Sequence, residues 1–403
     1  MGQISDLPSA LHMPNKQIIS DALTAGEGVV RLAPCWVPRA FLMPGGRLKL
    51  DPRDLYALGA HRGGIDERWF SSTTKAANGP LTAEDEGLSY IEFNGHKVLL
   101  KEAIETEPKK FLGDGNWNVL CKFFDNLGPI PHHLHQNDEY AARVGQKGKP
   151  EAYYFPPQYN FKDNNFPYTF MGLNPGTTKD DLRRCLEKWN DGDNEILYLS
   201  RAYKLKPGTG WQVDPGILHA PGSLVTYEPQ VNSDVFAMYQ SLVEGRAVPW
   251  DLLVKDVPEA HHHDLDYLIE MLDWPANTDP EYAEHRLFHP ATVKSNEFEK
   301  WVVYSTPYYS AKELTIPPGR TVTIKDAAAY GVILTSGYGA FGKHEVETPT
   351  LIRYGQMTRD ELFVTKHAAT NGVKIANSSE TENLVLLKHF GPNNPEAPGK
   401  KIS

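Results

Sequence analysis

Short apolar runs separated by glycine and proline dominate the C-terminal quarter of the chain. Seven such runs begin at Trp301: WVVYS, LTIPPG, TVTI, YGVILTSGYG, LIRYG, ELFV and NLVLLKHF. Brief runs rich in β-branched and aromatic residues, at this spacing, are typical of strands in a closed β-sandwich or barrel. Residues 301–392 are therefore predicted to form a β domain. The sequence after them has too few apolar residues to pack, which predicts a flexible tail over 393–403.

Short apolar runs separated by glycine, proline, aspartate and asparagine are also present in the N-terminal part of the chain, between Leu32 and Leu100, and predict strands and turns. Within SYIEFNGHKVLL, the Asn94-Gly95 pair separates two alternating segments and predicts a tight β-hairpin. Residues 1–30 lack such a pattern and are predicted to be a loosely ordered lead-in. A chain of 403 residues is long enough for two or three modules.

Two segments have the pattern of helices instead of strands. Thr178 is a good N-terminal cap, and the residues after it form one apolar face, which predicts a helix over 178–190. A second helix is predicted over 264–272. The organisation that follows is a β-rich domain over 31–245 with a helical insert at about 175–195, a mixed helical connector over 246–300, and the β domain 301–392.

Charge and composition exclude some classes of function. The net charge of −10 is unsuited to neutralising a phosphate backbone, so no nucleic-acid partner is expected. The chain has no run of about 18 apolar residues and no apolar segment of a secretory signal, so we expect no membrane association and a cytoplasmic location. Cys35, Cys121 and Cys185 lie far apart and are predicted to be reduced thiols.

Candidate chemistry is concentrated in the segment GPIPHHLHQNDEYAARVGQKGKPEAYYF. His133 and His135 are two residues apart, so on a strand both side chains leave the same face. Glu151 opens a strand-like aromatic run, and His219 follows a Pro-Gly turn further along. Three imidazoles and one carboxylate predict a site for a divalent metal ion, and these ligands suit Zn, Mn, Fe, Co and Ni alike.

Two rival assignments remain at this point. His261, His262 and His263 form a second histidine group, but they lie between a proline and a helix, where a polar run is typical of a solvated helix start. Glu139 is a rival to Glu151 as the carboxylate ligand. It falls where a helix is expected to begin, and an acidic side chain there stabilises the positive end of the helix.

At these residues the sequence resembles the type I mannose-6-phosphate isomerases of the cupin superfamily. Members have Q-V-H-P-D-D-E-Y-A followed by G-K-T-E or K-P-E, where this chain has H-L-H-Q-N-D-E-Y-A and G-K-P-E-A-Y-Y-F. The segments LYALGAHRGGIDERWFSS and GILHAPGSLVTYEPQVNSD are also similar to family regions. The resemblance covers about residues 32–240 and, more diffusely, the C-terminal strands.

The resemblance implies a mainly β, double-cupin architecture and an aldose–ketose isomerase that acts on a sugar or sugar phosphate through an enediol. It implies that His133, His135, Glu151 and His219 bind the metal, most simply zinc, with His133 replacing the family's glutamine. Lys149 is implied as the catalytic residue in contact with substrate. Arg68, Arg143 and Glu139 are further candidates for substrate binding.

One departure from the family pattern affects the predicted reaction. Members have an arginine shortly after the Ser-Asp motif, whereas this chain reads SDVFAMYQ, with Ala237 and Met238 at that place. A cation there would stabilise negative charge or bind a phosphate. Its loss, together with a set of three histidines and one glutamate, leaves two alternatives: an iron-dependent cupin oxygenase and a non-catalytic sugar-binding cupin.

Overall fold

The computed structural model describes residues 14–39, 42–160 and 167–399. Most of its regular structure consists of antiparallel strands, arranged in two pairs of facing sheets with short helices at their edges. The prediction of a mainly β, double-barrel architecture is confirmed. We refer to the two pairs of sheets as the N-terminal barrel and the C-terminal barrel.

The N-terminal barrel is built from a sheet of seven strands and a sheet of five. In spatial order the larger sheet contains Leu287–Phe288, Gly210–Val213, Glu151–Tyr154, Thr226–Val231, Val119–Phe124, Gly64–Phe70 and Cys35–Arg39. The smaller contains Ser200–Lys204, Tyr168–Leu173, His219–Ala220, His133–Leu134 and Ala237–Met238. Buried apolar side chains such as Phe124 and Tyr153 from one sheet and Met171 from the other fill part of the space between them.

The C-terminal barrel has a sheet of seven strands facing a sheet of four. The larger contains Val29–Arg31, Glu361–Val364, Tyr330–Ser336, Leu384–Phe390, Ser310–Ile316, Glu299–Val303 and Ala291–Thr292. The smaller contains Thr321–Ile324, Val373–Asn377, Tyr338–Phe341 and His344–Glu347. Of the predicted runs, LIRYG is not a strand: Ile352 forms only an isolated bridge to Leu50.

The first strand in the described part of the chain belongs to the C-terminal barrel. Val29–Arg31 pairs with Glu361–Val364, so the N-terminal segment completes the C-terminal sheet. Before it, Asn15–Ala25 forms a helix that buries Ile18 and Ile19. The prediction of a loosely ordered lead-in over 1–30 is therefore wrong for residues 15–30, because this segment has both a sheet partner and a buried face. Residues 1–13 lie outside the described part of the chain.

The predicted hairpin is present as two strands, Tyr90–Phe93 and His96–Leu99. Asn94 and Gly95 both have positive φ, 51° and 80°, which is the requirement of the type I′ turn that fits the twist of a hairpin. A second two-stranded hairpin joins Leu242–Val243 to Arg246–Ala247.

The predicted helices are shorter than their sequence patterns. Lys179–Glu187 begins with a capping box in which the side chains and backbone of Thr178 and Asp181 bond reciprocally, and Leu265–Glu270 is capped by Asp264. Both pack in one apolar cluster beside the five-stranded sheet. The remaining helices are Leu100–Thr106, Pro108–Leu112, Asp138–Ala142, Trp250–Val254, Trp274–Asn277, Tyr282–Arg286 and Lys366–Asn371. No helix in the described part of the chain has the length and apolarity needed to span a membrane.

The segment predicted as a flexible tail contacts the C-terminal barrel along the part that the structure describes, 393–399. The Asn394 side-chain amide donates to the Ser310 hydroxyl, and the Glu396 carboxylate lies 3.1 Å from the ammonium of Lys312. These polar contacts substitute for the apolar residues that the segment lacks.

A buried ion pair joins the two barrels. The Arg68 guanidinium, on a strand of the N-terminal barrel, donates two hydrogen bonds of 2.8 Å to the Asp360 carboxylate and one of 3.2 Å to Glu361. All three side chains are almost fully buried. Because these carboxylates belong to the C-terminal barrel, Arg68 has a structural partner in place of a substrate.

Substituting Arg68→Met should therefore destabilise the protein strongly. Removal of one partner from a buried ion pair costs about 3–5 kcal/mol, because the other charge stays buried without compensation. The matched control is Lys101→Met, which removes an exposed pair 3.9 Å from Glu105 and should cost about 0–1 kcal/mol. Urea unfolding followed by tryptophan fluorescence measures both. Equal losses in the two variants would contradict the role given to Arg68.

Candidate metal centre

Three histidines from adjacent strands of the five-stranded sheet point into the N-terminal barrel. His133 and His219 are direct cross-strand partners, and His135 follows two residues after His133. Their ring centroids are 4.1 Å apart for His133 and His219, and 5.1 Å apart for each pair that includes His135. One ring nitrogen from each lies within 4.8 Å of the other two. This is the spacing that ligands of one metal ion require.

Backbone carbonyls fix the orientation of all three rings. Nδ1 of His133 donates to the carbonyl of Pro131, Nδ1 of His135 to Val235, and Nδ1 of His219 to Ile217, at 2.7 to 2.8 Å. A carbonyl oxygen only accepts, so the proton of each neutral ring is on Nδ1. Nε2 therefore carries a lone pair directed at the centre, as in metal-binding histidines held by a second contact.

Glu151 reaches the same centre from the first residue of its strand in the facing sheet. Its Oε2 lies 3.0 Å from Nε2 of His135, and its Oε1 lies 3.2 Å from Nε2 of His219. Oε2 of Glu151 and Nε2 of His219 are buried and make no hydrogen bond within the described part of the chain, although the Lys149 ammonium lies 3.1 Å from that Oε2. Lone pairs and carboxylate oxygens that face one another in a buried space repel unless a cation lies between them. The donor set therefore fits a divalent metal ion.

Burial keeps the ligand groups in the protonation states that metal binding needs. It lowers the pKa of His135 to about 4 and that of His133 well below the ordinary value. Burial alone would raise the pKa of Glu151, but His135 and Lys149 beside it hold that pKa well below its usual range. His133 and His135 are thus neutral and the Glu151 carboxylate ionised at neutral pH, which are the forms that bind metals.

Alternating charges continue from Glu151 along the wall of the cavity. We call this set of seven side chains the charge chain. In order, its members are Glu151, Lys149, Glu228, Lys122, Glu67, Arg39 and Asp234. Successive members lie 2.8 to 3.7 Å apart, and all but Asp234 belong to the seven-stranded sheet or directly precede one of its strands. The chain connects the metal centre to the other end of the cavity.

The space enclosed beside the metal centre is small, about 50 Å³. Apolar side chains close it, among them Leu42, Ile130, Phe236 and Met238. Met238 is the cross-strand partner of His133 and occupies the place where the resemblance led us to look for an arginine. A wider pocket of about 380 Å³ shares Arg39 and Phe236 with the inner cavity, and we call it the outer pocket.

The structure brings Lys149 into this site but not the three weaker candidates. The Lys149 ammonium lies 3.1 Å from Glu151 and 3.2 Å from Nε2 of His135. Arg68 is engaged between the barrels, as described above. Arg143 and Glu139 pair with each other at 2.6 Å on an exposed helix, where Glu139 lies in the first turn. Neither side chain lines the cavity.

The histidine triplet 261–263 does not form a second centre. His261 pairs with Asp264 at 3.0 Å, Nε2 of His262 donates to the carbonyl of Val257, and His263 stacks on Trp250. Their rings thus have separate partners, and the group His133, His135 and His219 is the only candidate metal cluster found among the described residues.

Sequence reasoning missed most of the charge chain. Lys122 stands on a central strand whose neighbours on the same face, Leu120 and Phe124, are apolar or aromatic. Glu67 lies within Asp66-Glu67-Arg68, and Glu228 alternates with Thr226 and Gln230, so neither of these strands is otherwise apolar. The available signal was therefore Lys122, since a charged group inside an apolar strand is rarely buried without a partner. Arg39 gives no signal, because it closes a five-residue strand at an apparent loop boundary.

Comparison with solved structures shows the fold. A mannose 6-phosphate isomerase from Bacillus subtilis superposes with a TM-score of 0.59 at 17% identity, covering 90% of this chain and 99% of that one. A zinc-bound mannose 6-phosphate isomerase gives 0.60 at 13%, covering 91% and 100%. A variant of phosphomannose isomerase from Salmonella typhimurium gives 0.58 at 14%, with 91% and 100% covered.

This chain has the fold of the mannose 6-phosphate isomerases. The likeness extends over both barrels, since about nine-tenths of the chain is covered. No family model matches the sequence, and no curated protein matches it either. At this level of identity the likeness is one of architecture, so ligands and reaction have to be argued from the residues of the site.

Removal of one imidazole should abolish metal binding. We expect His135→Ala, dialysed and analysed by inductively coupled plasma mass spectrometry, to lose the metal ion that the wild type retains, because one of the three converging Nε2 atoms is gone. The control His261→Ala removes a histidine that has its own partner, and it should retain full metal content. Full metal in His135→Ala would contradict the site.

A second pair of variants distinguishes Glu151 from Glu139 as the carboxylate ligand. Glu151→Gln should weaken metal binding by at least tenfold in a competition with a chromogenic chelator, since a neutral amide replaces the buried anion. Glu139→Gln removes an exposed carboxylate and should leave the affinity unchanged. The reverse result would make Glu139 the ligand.

Proposed function

We propose that this protein is a metal-dependent aldose–ketose isomerase that acts on a sugar or sugar phosphate. The observation that carries the proposal is the convergence of three oriented imidazoles and one carboxylate beside a buried lysine, inside a barrel of the isomerase fold. His133, His135, Glu151 and His219 would hold the ion, which we infer to be zinc. A divalent ion bound there polarises the carbonyl and hydroxyl oxygens of an open-chain sugar.

Lys149 is the residue we assign to proton transfer. Its ammonium lies between Glu151 and Glu228, at the edge of the space that a substrate would enter. In its neutral form the amine takes the proton from C2 of the aldose and returns it to C1 by way of an enediol. Its two carboxylate neighbours keep the side chain in one place, which positions the nitrogen against the sugar.

Glu228 is suited to the accompanying transfer between oxygens. Burial, with the negative charge of Glu151 nearby, raises the pKa of Glu228 to about 8. The carboxyl group therefore carries a proton for much of the time at neutral pH. It can donate this proton to the carbonyl oxygen and recover one from the neighbouring hydroxyl, which is needed when C1 and C2 exchange oxidation states.

Two other functions have a specific observation in their favour. A centre of three histidines and one glutamate also suits iron, so an iron-dependent oxygenase is the second candidate. Met238 in place of an arginine favours a non-catalytic sugar-binding protein. Iron in the purified protein together with oxygen uptake would replace the isomerase proposal. Binding of sugars by the metal-loaded protein without conversion of any aldose would favour the third function.

Lys149→Gln should reduce kcat by about 10²–10⁴-fold, the usual contribution of a general acid–base group. The readouts are ketose formation from a panel of aldoses, with and without a 6-phosphate, and incorporation of deuterium from heavy water into the product. Metal content should stay close to that of the wild type, because Lys149 does not supply a ligand.

Lys206→Gln serves as the control, since this lysine is exposed and does not line the cavity. A Lys149→Gln enzyme that keeps both full turnover and deuterium incorporation would show that another group moves the proton. Loss of metal in this variant would instead make Lys149 a structural partner of Glu151.

A further inference from the structure

We propose that the sugar bound at this centre, across the inner cavity and the outer pocket that adjoins it, has no phosphate group, so that the substrate is a neutral aldose. That the sugar is a substrate rests on the proposed isomerase function, whereas the charge of the ligand that the site accepts does not depend on catalysis. It is therefore tested by equilibrium binding as well as by turnover. Each cation near the centre already has a carboxylate partner, and the side chain at position 238 is apolar.

The two lysines of the inner cavity already contact carboxylates. The ammonium of Lys122 lies 2.8 Å from Glu67 and 3.5 Å from Glu228. That of Lys149 lies 3.1 Å from Glu151 and 3.7 Å from Glu228. A phosphate would have to draw these ammonium groups away from buried carboxylates, which would then be left uncompensated.

Arg39 is engaged more completely still. Its Nε donates to Glu67 at 3.1 Å, and its two terminal nitrogens donate to Asp234 at 3.1 and 3.2 Å and to the Asn78 side chain at 2.8 Å. The paired, fork-like donors that make arginine a good phosphate ligand are therefore already used. Arg39 fixes the wall of the cavity and has no second pair of donors for a dianion.

The described lining of the inner cavity also has no surplus of positive side chains. It contains four carboxylates and three cations, all of them members of the charge chain. Where the resemblance led us to look for an arginine, Met238 presents an apolar side chain beside His133. The end of a substrate directed away from the ligands would meet Met238 and Phe236.

The outer pocket is lined by three cations, Arg39, Arg62 and Lys255, and one carboxylate, but each of these cations also contacts a carboxylate. Arg62 donates to both carboxylate oxygens of Glu86, at 2.9 and 2.7 Å, and Lys255 lies 3.2 Å from Asp256. The rest of that lining is mostly apolar, with Pro80, Leu81 and Leu252 among its residues.

A neutral sugar suits these surroundings better than an anion. Hydroxyl groups both donate and accept hydrogen bonds, so they can bind to a carboxylate–ammonium pair without separating it. The C–H faces of a sugar can pack against Phe236 and Met238 at the same time. Recognition of this kind needs no free cation.

The test compares two non-reacting ligands, sorbitol and sorbitol 6-phosphate, by isothermal titration calorimetry on the full-length, zinc-loaded protein. We expect sorbitol to bind at least tenfold more tightly than its phosphate ester. Met238→Arg adds an unpaired cation to the cavity and should improve the affinity for the phosphate relative to sorbitol by at least tenfold. Met357→Arg adds the same charge to a loop of the C-terminal barrel and should change neither affinity.

Equal or tighter binding of the phosphate by the wild type would overturn the inference, and so would the absence of binding of either ligand. A folded Met238→Arg protein with an unchanged preference would overturn the role of position 238. If circular dichroism shows that this variant does not fold, the comparison on the wild type decides alone. Sorbitol binding without conversion of any aldose would remove the proposed isomerase function and leave the inference on ligand charge intact.

Discussion

Three hydrogen bonds from histidine Nδ1 atoms to backbone carbonyls set the chemistry of the N-terminal barrel. Each bond leaves Nε2 without a proton, so three lone pairs and the Glu151 carboxylate meet in one buried space. Such an arrangement is repulsive on its own and becomes favourable when a cation occupies its centre. The carbonyls belong to the polypeptide at Pro131, Val235 and Ile217, so the backbone fixes the Nδ1 side of each ring.

The two barrels use opposite chemistry for their buried polar groups. In the C-terminal barrel, Asp326 lies 2.7 Å from the ammonium groups of both Lys312 and Lys388, and Glu299 lies beside the same two lysines. Each of these two buried carboxylates contacts both lysines, and aromatic rings such as Trp301 lie beside the ammonium groups. In the N-terminal barrel, by contrast, the unprotonated Nε2 atoms of three histidines and the Glu151 carboxylate face one another, so several lone pairs meet in one space. The candidate metal cluster found among the described residues lies in this barrel, although both barrels have the same architecture.

The sequence predicts local features of this protein well and long-range features poorly. The Asn94-Gly95 hairpin and the Thr178 cap follow from the conformations that a few adjacent residues allow, and the His133–His135 spacing places both rings on one face. The pairing of Val29–Arg31 with Glu361–Val364 could not be predicted in this way, because the two strands are more than 300 residues apart. The LIRYG segment failed for a related reason, since an apolar run becomes a strand only if a neighbour offers free backbone groups.

The candidate site shows the same division. Its histidines lie close to recognisable turns, and Glu151 follows from the resemblance to a family. The rest of the charge chain comes from strands distant in sequence, such as those of Glu67 and Lys122, whose proximity depends on the register of the seven-stranded sheet. Arg68 shows the error in the other direction: an arginine in a family-like segment was expected at the substrate, yet a carboxylate of the other barrel holds it.

The charge chain also explains why one of its carboxyl groups is suited to proton transfer. Arg39 holds the pKa of Asp234 well below its usual range, although burial acts in the opposite direction. Glu228 lies between two lysines but at longer distances, 3.5 and 3.7 Å, with Glu151 close enough to repel its charge. Burial and that repulsion therefore outweigh the lysines, and the pKa of Glu228 rises to about 8. A dianionic ligand would draw Lys149 or Lys122 away and raise it further, whereas a neutral sugar leaves the balance unchanged. Selection against phosphate and retention of an exchangeable proton beside Lys149 thus have the same electrostatic cause.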